Sequence, residues 1–320
     1  MTPSPNTMIM DRFIDRLERL HTAPQIAFQV LRLLQSEDFE TRRLVQCLEA
    51  DPALAASILR LVNSSYFGLA RNVASLQHAV TYLGSRSLRL AVLGFGVLKQ
   101  LVADAPAQLY QEYWRRSLTM ASVASRLAAY NADLKADEAY SAGLLADVGV
   151  LMLAQLETKS YINLCQRVPH STLLAESERE LYGFDHGAIG AHLLHRWNLP
   201  EDLTDAVARH HTTSGPRNVL SLSTNVANLM ADALWTTDAA QVQQARRLLE
   251  TEFGLGIDGF ITLAVDCKRL IQESAEIYQV QLAGQIDCDE LLHEARKQYM
   301  DEAMEAAIDW DSLAAVVGQE

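Results

Sequence analysis

The sequence predicts an all-α protein, a multi-helix bundle with an N-terminal helical subdomain and a C-terminal helical extension. Apolar residues recur every three to four positions over most of the 320 residues, which is the spacing of a helix that buries one face. The breaks in this pattern carry helix-capping residues and glycines. Prolines and glycines are few, at 8 and 15, and so are runs of the β-branched residues that favour strands.

The same pattern divides the chain into four segments. Residues 1–12 are predicted to be a flexible N-terminus, and residues 13–106 an N-terminal helical half of five or six short helices. Residues 107–235 form a second helical half, and residues 236–320 a C-terminal helical extension, which could be a linker to an output domain missing from this chain. The short connections within each half indicate a bundle in which neighbouring helices pack against one another.

Local signals fix several helix ends in the first half. Asp51 and Pro52 are expected to start one helix, because Asp accepts hydrogen bonds from free N–H groups and Pro fits the first helical position. Asn63 and Ser64 end that helix and are expected to fix a turn rather than bind a ligand. Gly84 is expected to close the next helix, and a longer apolar helix follows it.

The C-terminal extension is strongly acidic. Its last 40 residues hold ten acidic side chains against Arg296 and Lys297, so they contribute −8 of the net charge of −13. A solvated acidic helix with a thin apolar seam is predicted there. The seam could dock on its own domain, pair with a second copy of the chain, or lead into a further domain.

Composition also excludes several classes of function. The net negative charge opposes a broad nucleic-acid surface, so we expect no nucleic-acid partner. Four arginines could form a basic patch but are expected on solvated helix faces: Arg42, Arg43, Arg86 and Arg89. No uncharged apolar run reaches about 18 residues and no signal peptide is evident, so no membrane partner is expected. Four widely spaced cysteines without a CxxC pair indicate reduced thiols in a cytoplasmic protein.

One carboxylate stands out in the apolar run 141–150, which is predicted to be a buried helix. Asp147 is costly there unless it is paired or binds a metal ion. His186, His210 and His211 could join it, since imidazole and carboxylate together suit iron, manganese or zinc. Their separation in sequence is too long for a local motif, so core histidines with ordinary hydrogen bonds are an open alternative. The chain has no P-loop, GxGxxG or GxSxG motif.

Several separate motifs resemble one known family. They are, in order, DPALAASILRLVNS at 51–64, AVTYLG at 79–84, WRRSL at 114–118, AGLLADVG at 142–149, GFDH at 183–186, WNLP at 197–200 and the pair His210-His211. Together they resemble the HDOD domains, the HD-related output domains of bacterial signalling proteins, over roughly residues 17–235. The resemblance implies an HD-domain-like helical bundle related to HD phosphohydrolases and to HD-GYP phosphodiesterases that cleave cyclic di-GMP.

The resemblance also implies that the metal site is degenerate. Enzymes of the wider group bind metal through a His, a His-Asp dipeptide, further histidines and a late Asp. The matching positions here are Arg116, Ala146-Asp147 and Asn228, so ligand chemistry is kept only at Asp147, His186, His210 and His211. These four are therefore expected to be vestigial, with no metal or other cofactor. Arg116 is expected to form an ion pair with Asp147, and Asn228 could line the same old pocket.

These observations predict a non-catalytic regulatory module that acts through protein–protein contacts. The resemblance implies partners among signalling proteins, including a fused or separate diguanylate cyclase (GGDEF) domain, and the C-terminal seam allows a homodimer. Two alternatives stay open. One is a residual metal-dependent phosphohydrolase or phosphodiesterase, and the other is a pseudoenzyme that binds a nucleotide-like ligand in the old pocket through Arg116.

Overall fold

A computed structural model describes most of the chain: residues 5–20, 25–34, 40–63, 69, 72–98, 106–168, 171–197, 199–212, 218–278 and 280–317. Every regular element in these ranges is a helix, which confirms the predicted all-α class. The first half contains α1 (Pro5–Leu20), α2 (Gln25–Leu33), α3 (Thr41–Glu49), α4 (Pro52–Val62) and α5 (Leu76–Val92), which continues into a π-helical turn, Leu93–Leu98.

The remaining helices follow in close succession. They are α6 (Ala107–Leu127), α7 (Ala136–Leu145), α8 (Val148–Leu156), α9 (Thr158–Arg167), α10 (Ser171–Tyr182), α11 (His186–Arg196), α12 (Glu201–Arg209), α13 (Val219–Thr236), α14 (Ala239–Phe253), α15 (Ile257–Tyr278) and α16 (Cys288–Val317).

The predicted helix ends in the first half are confirmed where the structure describes them. The Asp51 carboxylate accepts hydrogen bonds from the N–H groups of Ala53 and Leu54, with Pro52 at the first helical position. The Asn63 side chain donates to the Val73 carbonyl and accepts from the Val73 N–H, which ties the end of α4 to Val73. Ser64 lies outside the described residues. Gly84 joins two helical segments of α5 with φ of +69°, a conformation that favours glycine.

Residues 5–12 of the predicted flexible N-terminus lie in helix α1, which begins at Pro5. The helix is docked by its polar face: the Asp11 carboxylate lies 2.8 Å from His192 Nε2, and Arg196 donates to Asp15 at 2.9 Å. The Phe13 ring packs edge-on against Phe184. These contacts with α11 stabilise a helix start that the Pro- and Ser-containing sequence had obscured.

Two hydrophobic cores stabilise the bundle and meet at α6 and α7. The first core runs from Ile14 to Val280 and joins the N-terminal helices to α8 and α11. The second runs from Met120 to Ala295 and joins α6 and α7 to the last four helices. Helix α6 therefore contributes Leu118 to one core and Met120 to the other. The polar centre described below lies where these two cores adjoin.

The apolar run 141–150 is not one helix, contrary to the prediction. Helix α7 ends at Leu145, a turn holds Ala146 and Asp147, and α8 begins at Val148. The stretch Ala136–Leu156 has the length and mean hydropathy of a membrane-spanning helix, but 89% of its most apolar window is buried inside the bundle. Burial in the core accounts for this composition, and the helix break presents Asp147 at a turn.

The first half of α16 docks on the chain's own bundle, but of the predicted seam only Ala295 is buried, while Tyr299 and Ala303 are exposed. Leu291 and Ala295 are buried in the second core. The Glu302 carboxylate forms ion pairs with Arg246 and Arg247 of α14, and Gln298 donates to the Ala239 carbonyl at 2.7 Å. The outer face of the helix leaves Tyr299, Met300 and Met304 exposed.

The cysteines are free thiols, as predicted, and the structure describes all four of them. Burial, with the Glu178 carboxylate nearby, raises the pKa of Cys165 to about 12, so this thiol is a poor nucleophile at neutral pH. Arg89, one of the four arginines of the hypothetical basic patch, donates to the Leu34 carbonyl inside the fold. The Arg86 side chain lies outside the described residues.

We expect Gly149→Ala to destabilise the bundle. A Cβ at Gly149 would lie 2.0 Å from the His186 carbonyl oxygen, so α8 and α11 would have to separate. Overpacking of this kind costs about 1–3 kcal/mol, measured as the free energy of unfolding in urea. Gly256→Ala is the matched control, because a Cβ there has no described atom within 4 Å, and an equal loss in both variants would contradict the close approach.

Candidate functional site

Four side chains that are far apart in the sequence meet in the interior of the bundle. Asp147 comes from the α7–α8 turn, His186 is the first residue of α11, and His210 and His211 follow the last residue of α12. One ligand atom of each lies within 4.8 Å of the others, and all four residues are buried. The structure thus brings together the residues that the sequence analysis treated as vestigial ligands.

The distances within this cluster are short. Asp147 Oδ1 lies 3.4 Å from His186 Nε2 and 3.3 Å from His210 Nε2. His186 Nε2 lies 2.7 Å from His211 Nε2. The inner nitrogens of His186 and His210 therefore face one carboxylate oxygen, and the inner nitrogen of His211 adjoins that of His186. We call these four side chains the buried centre.

Each histidine is oriented by a partner on its outer nitrogen. His186 Nδ1 lies 2.7 Å from the Glu178 carboxylate, which also accepts the His186 backbone N–H. His210 Nδ1 lies 2.7 Å from the Val207 carbonyl oxygen. His211 Nδ1 lies 3.2 Å from the Asn228 amide nitrogen. Such outer contacts fix ring orientation and proton position, as they do around metal-binding histidines.

Arg116 contacts the buried centre from α6. Its Nε donates to Asp147 Oδ2 at 2.9 Å, which confirms the predicted ion pair. One terminal nitrogen donates to Asp232 and the other to Asn228 Oδ1 at 2.7 Å. Ser171 bridges the far side, with its hydroxyl 2.9 Å from Asn228 Oδ1 and 2.8 Å from Asp232 Oδ2. The guanidinium therefore ties α6 to the α7–α8 turn and to α13.

The electrostatics favour a positive charge inside this cluster. Burial alone would raise the pKa of Asp147, but the Arg116 guanidinium, with His186 and His210, holds it well below its usual value. Burial would lower the pKa of His186, but the adjacent carboxylates of Glu178 and Asp147 outweigh burial and raise it to about 10. Burial and its cationic neighbours keep the pKa of His211 well below normal.

Asp147, His186, His210 and His211 fit a transition-metal ion by donor chemistry and by an observation inside the cluster. Asp147 Oδ1 and His210 Nε2 are buried, and neither has a hydrogen-bond partner among the described residues. Buried polar atoms are nearly always satisfied, and a cation between these two atoms, which lie 3.3 Å apart, would complete the contacts of both. A second ion fits poorly, because the Arg116 guanidinium already occupies the other oxygen of Asp147.

Two members of this site, Glu178 and Asp232, were not predicted from the sequence. Glu178 is fully buried and also accepts a hydrogen bond from the Tyr161 hydroxyl. Asp232 lies one helical turn after Asn228 and is 4% exposed. A lone carboxylate in the apolar run 226–234 is the same signal that identified Asp147, so Asp232 could have been found. Glu178 gave no comparable signal, because its neighbours in sequence are polar.

A cavity of about 320 Å³ adjoins Arg116, Asp147 and Asp232. Its walls combine apolar and aromatic side chains, including Leu109, Tyr113, Leu174 and Trp235. The Arg115 guanidinium lies over the Trp235 ring, 5.1 Å from its centre, and pairs with Glu112. The cavity has the size and character of a small ligand pocket, but both of its arginines already face carboxylates.

An all-helical bundle that gathers histidines and an aspartate in its interior defines the class of HD-domain-like proteins. The sequence profile of the HDOD domain matches residues 20–213. The chain therefore belongs to the HDOD domain family, as the motifs predicted.

Individual proteins are also similar to this chain. An uncharacterized protein of Treponema pallidum is 27% identical over 212 residues, which cover 64% of this chain and 40% of that relative. The chain thus spans less than half of that relative's length. A solved HDOD domain protein of unknown function from Geobacter sulfurreducens is 23% identical, covers 95% of this chain and 97% of its own, and superposes with a TM-score of 0.59.

A second solved structure, from Shewanella amazonensis SB2B, carries the provisional name of phosphohydrolase. It is 20% identical, covers 83% of this chain and 97% of its own, and superposes with a TM-score of 0.65. At these identities the two structures establish the shared fold and nothing further about chemistry.

We expect Arg116→Met to destabilise the protein by about 3–5 kcal/mol, because it leaves Asp147 and Asp232 buried without their cation. The free energy of unfolding in urea measures this loss. Arg269→Met is the control, since the exposed Arg269–Glu273 pair is worth at most about 1 kcal/mol. Adding Asp147→Asn and Asp232→Asn to Arg116→Met should recover stability, and no recovery would argue against uncompensated charge as the cause.

Proposed function

We propose that this chain is a non-catalytic regulatory module of a bacterial signalling pathway, and that it acts through protein–protein contacts. The observation that carries the proposal is the wiring of Arg116, whose three guanidinium nitrogens donate to Asp147, Asp232 and Asn228. A second ion would need the Asp147 oxygen that Arg116 already contacts. The guanidinium of Arg116, which is always charged, also holds the neighbouring Asp232 and Asn228. HDOD family membership supports the regulatory role by analogy.

The Arg116 guanidinium opposes two-metal phosphodiester hydrolysis for an electrostatic reason. Two-metal sites place their ions about 3.5–4 Å apart with shared carboxylate ligands. At an effective dielectric constant near 20, a positive charge about 4 Å from an ion adds a repulsion energy of about 4 kcal/mol for each unit of charge on the ion. Arg116 is only 12% exposed, so solvent screens this repulsion weakly.

The partners in this proposal are signalling proteins, including a fused or separate diguanylate cyclase (GGDEF) domain, in the cytoplasm. A second copy of the chain is a further partner. The outer face of α16 supports that contact, because it leaves Tyr299, Met300 and Met304 44–61% exposed on a helix whose inner face is already docked.

A single-ion phosphohydrolase is the second candidate function, and the convergence of Asp147, His186, His210 and His211 favours it. The cavity beside the centre would then hold the phosphate ester. A pseudoenzyme that binds a nucleotide-like anion has less support, because the guanidinium groups of Arg115 and Arg116 are engaged by Glu112, Asp147 and Asp232.

A turnover assay separates the two candidates. We expect no hydrolysis of bis(p-nitrophenyl) phosphate or cyclic di-GMP by the purified chain with Mn²⁺, Fe²⁺ or Zn²⁺ added, because Arg116 blocks the second ion. Asp147→Asn serves as the background control for contaminating enzymes. Hydrolysis by the wild type that Asp147→Asn abolishes would replace the regulatory proposal with the single-ion phosphohydrolase.

Light scattering on the full chain tests the homodimer. We expect a concentration-dependent dimer that Met300→Glu combined with Met304→Glu disrupts, because charges on the outer face of α16 oppose apolar pairing. Leu181→Glu on α10 is the matched control, as Leu181 is equally exposed but lies on another helix. A strict monomer at high concentration, or a dimer insensitive to both changes on α16, would contradict this contact.

A further inference from the structure

We propose that two copies of the chain pair through the outer faces of α16 in an antiparallel arrangement, with Lys297 of each copy beside the partner's Asp301. This inference rests on the homodimer of the proposed function and goes beyond it, because it fixes the direction and the register in which the two helices meet. It follows from which side of α16 the bundle already occupies and from the order of charges on the other side.

The inner face of α16 is engaged by the chain's own bundle. Leu291 and Ala295 are buried in the second core, and Gln298 and Glu302 contact α14. These four residues recur every three or four positions, so they share one face of the helix. A partner must therefore approach the helix from the opposite side.

The outer face carries a short apolar surface that begins after two cations. Successive residues of an α-helix turn by about 100°, which places His293, Lys297, Met300 and Met304 on the side opposite the bundle contacts. All four side chains are exposed, the two methionines by 59% and 61%. Methionine side chains are flexible and adapt to irregular contacts. Met300 and Met304 thus mark the place where a second copy can pack.

The charges beside this surface exclude a parallel pair. Arg296 and Lys297 lie just before Met300, and both side chains are exposed. In a parallel pair the two helices would present these residues at the same height, so that Lys297 of each copy would face the partner's Arg296. Four cations would then meet at one level of the contact, which is unfavourable.

An antiparallel pair brings opposite charges together. With the two-fold axis near position 299, Lys297 lies at the height of the partner's Asp301 and on the same edge of the contact, and symmetry makes this contact twice. The same register sets Met300 within about 3 Å along the axis of the partner's Met300, and Met304 beside the partner's His293. The helix dipoles also oppose each other in this direction, which is favourable.

The arrangement has a consequence for the C-terminal ends of the two copies. At about 1.5 Å per residue, the ends of α16 at Val317 would lie about 50 Å apart along the helix axis and point in opposite directions. Two domains that followed α16 would therefore be held apart for as long as this contact persists.

Cysteine cross-linking of the full chain tests the direction and the register. Within one chain, positions 293 and 304 lie about 16 Å apart along the helix, whereas a disulfide needs Cα atoms within about 7 Å. We expect an equimolar mixture of His293→Cys and Met304→Cys chains to form covalent dimers on mild oxidation, with peptide mass spectrometry showing a link from 293 to 304. Each variant alone should form no more covalent dimer than the wild type, whose four free thiols set the background.

Charge reversal tests the contact between Lys297 and the partner's Asp301. We expect Lys297→Asp and Asp301→Lys each to weaken self-association about tenfold in light scattering, because both symmetric contacts become repulsive. Combining the two changes in one chain should restore wild-type association. Lys159→Asp is the matched control, since Lys159 is an exposed lysine on α9. Circular dichroism verifies the helix content of each variant.

Different results would overturn different statements. Covalent dimers of Met304→Cys alone, or tighter association of Lys297→Asp, would replace the antiparallel pair with a parallel one. A dimer in light scattering without the link from 293 to 304 would contradict this register while leaving the homodimer in place. A strict monomer would remove the homodimer and this inference together, whereas the regulatory proposal is tested separately by the turnover assay.

Discussion

The ion pairs of Arg116 are the interaction on which the interior of this protein depends. A guanidinium that is 12% exposed joins two carboxylates that are 3% and 5% exposed, and these groups come from α6, the α7–α8 turn and α13. Burying any one of them alone would cost several kcal/mol. Because they are buried together, the charges fix how three segments meet at the junction of the two hydrophobic cores. The packing around them, including the close approach of Gly149 to α11, then follows from that junction.

Arg116 also affects His211, which it does not contact, through a chain of hydrogen bonds. The guanidinium orients the Asn228 amide, and the amide places the proton of His211. Glu178 and the Val207 carbonyl place the protons of His186 and His210 independently. Three imidazoles that look equivalent in the sequence therefore differ in their surroundings, since a carboxylate, a backbone carbonyl and an amide group face their outer nitrogens. A substitution at position 116 would change the surroundings of His211 through Asn228, without any direct contact with a histidine.

The fold was largely predictable because helical periodicity and capping are local. The caps at Asp51 and Asp185 and the turn at Gly84 needed only neighbouring residues. The site was predictable only in part. Residue chemistry supplied Asp147 and the histidines, and resemblance added Arg116 and Asn228, but neither supplied Glu178, which contacts a histidine ring eight residues away. The break at Asp147 was missed because Ala and Asp within an apolar run give no helix-stop signal. The start of α1 was missed because contacts with α11, not local propensity, stabilise it.

The buried centre also couples the helices that build it. Glu178 belongs to α10, whose Ser171 hydroxyl contacts Asn228 and Asp232 of α13. A positive charge at the inner nitrogens, whether a proton on His186 or a metal ion, strengthens the hold of Glu178 on α11 and weakens the repulsion between Glu178 and Asp147. Loss of that charge has the opposite effect on both. The contacts between helices α10, α11 and α13 thus depend on the same positive charge at the buried centre. On the surface, α10 exposes Leu173 and Leu181.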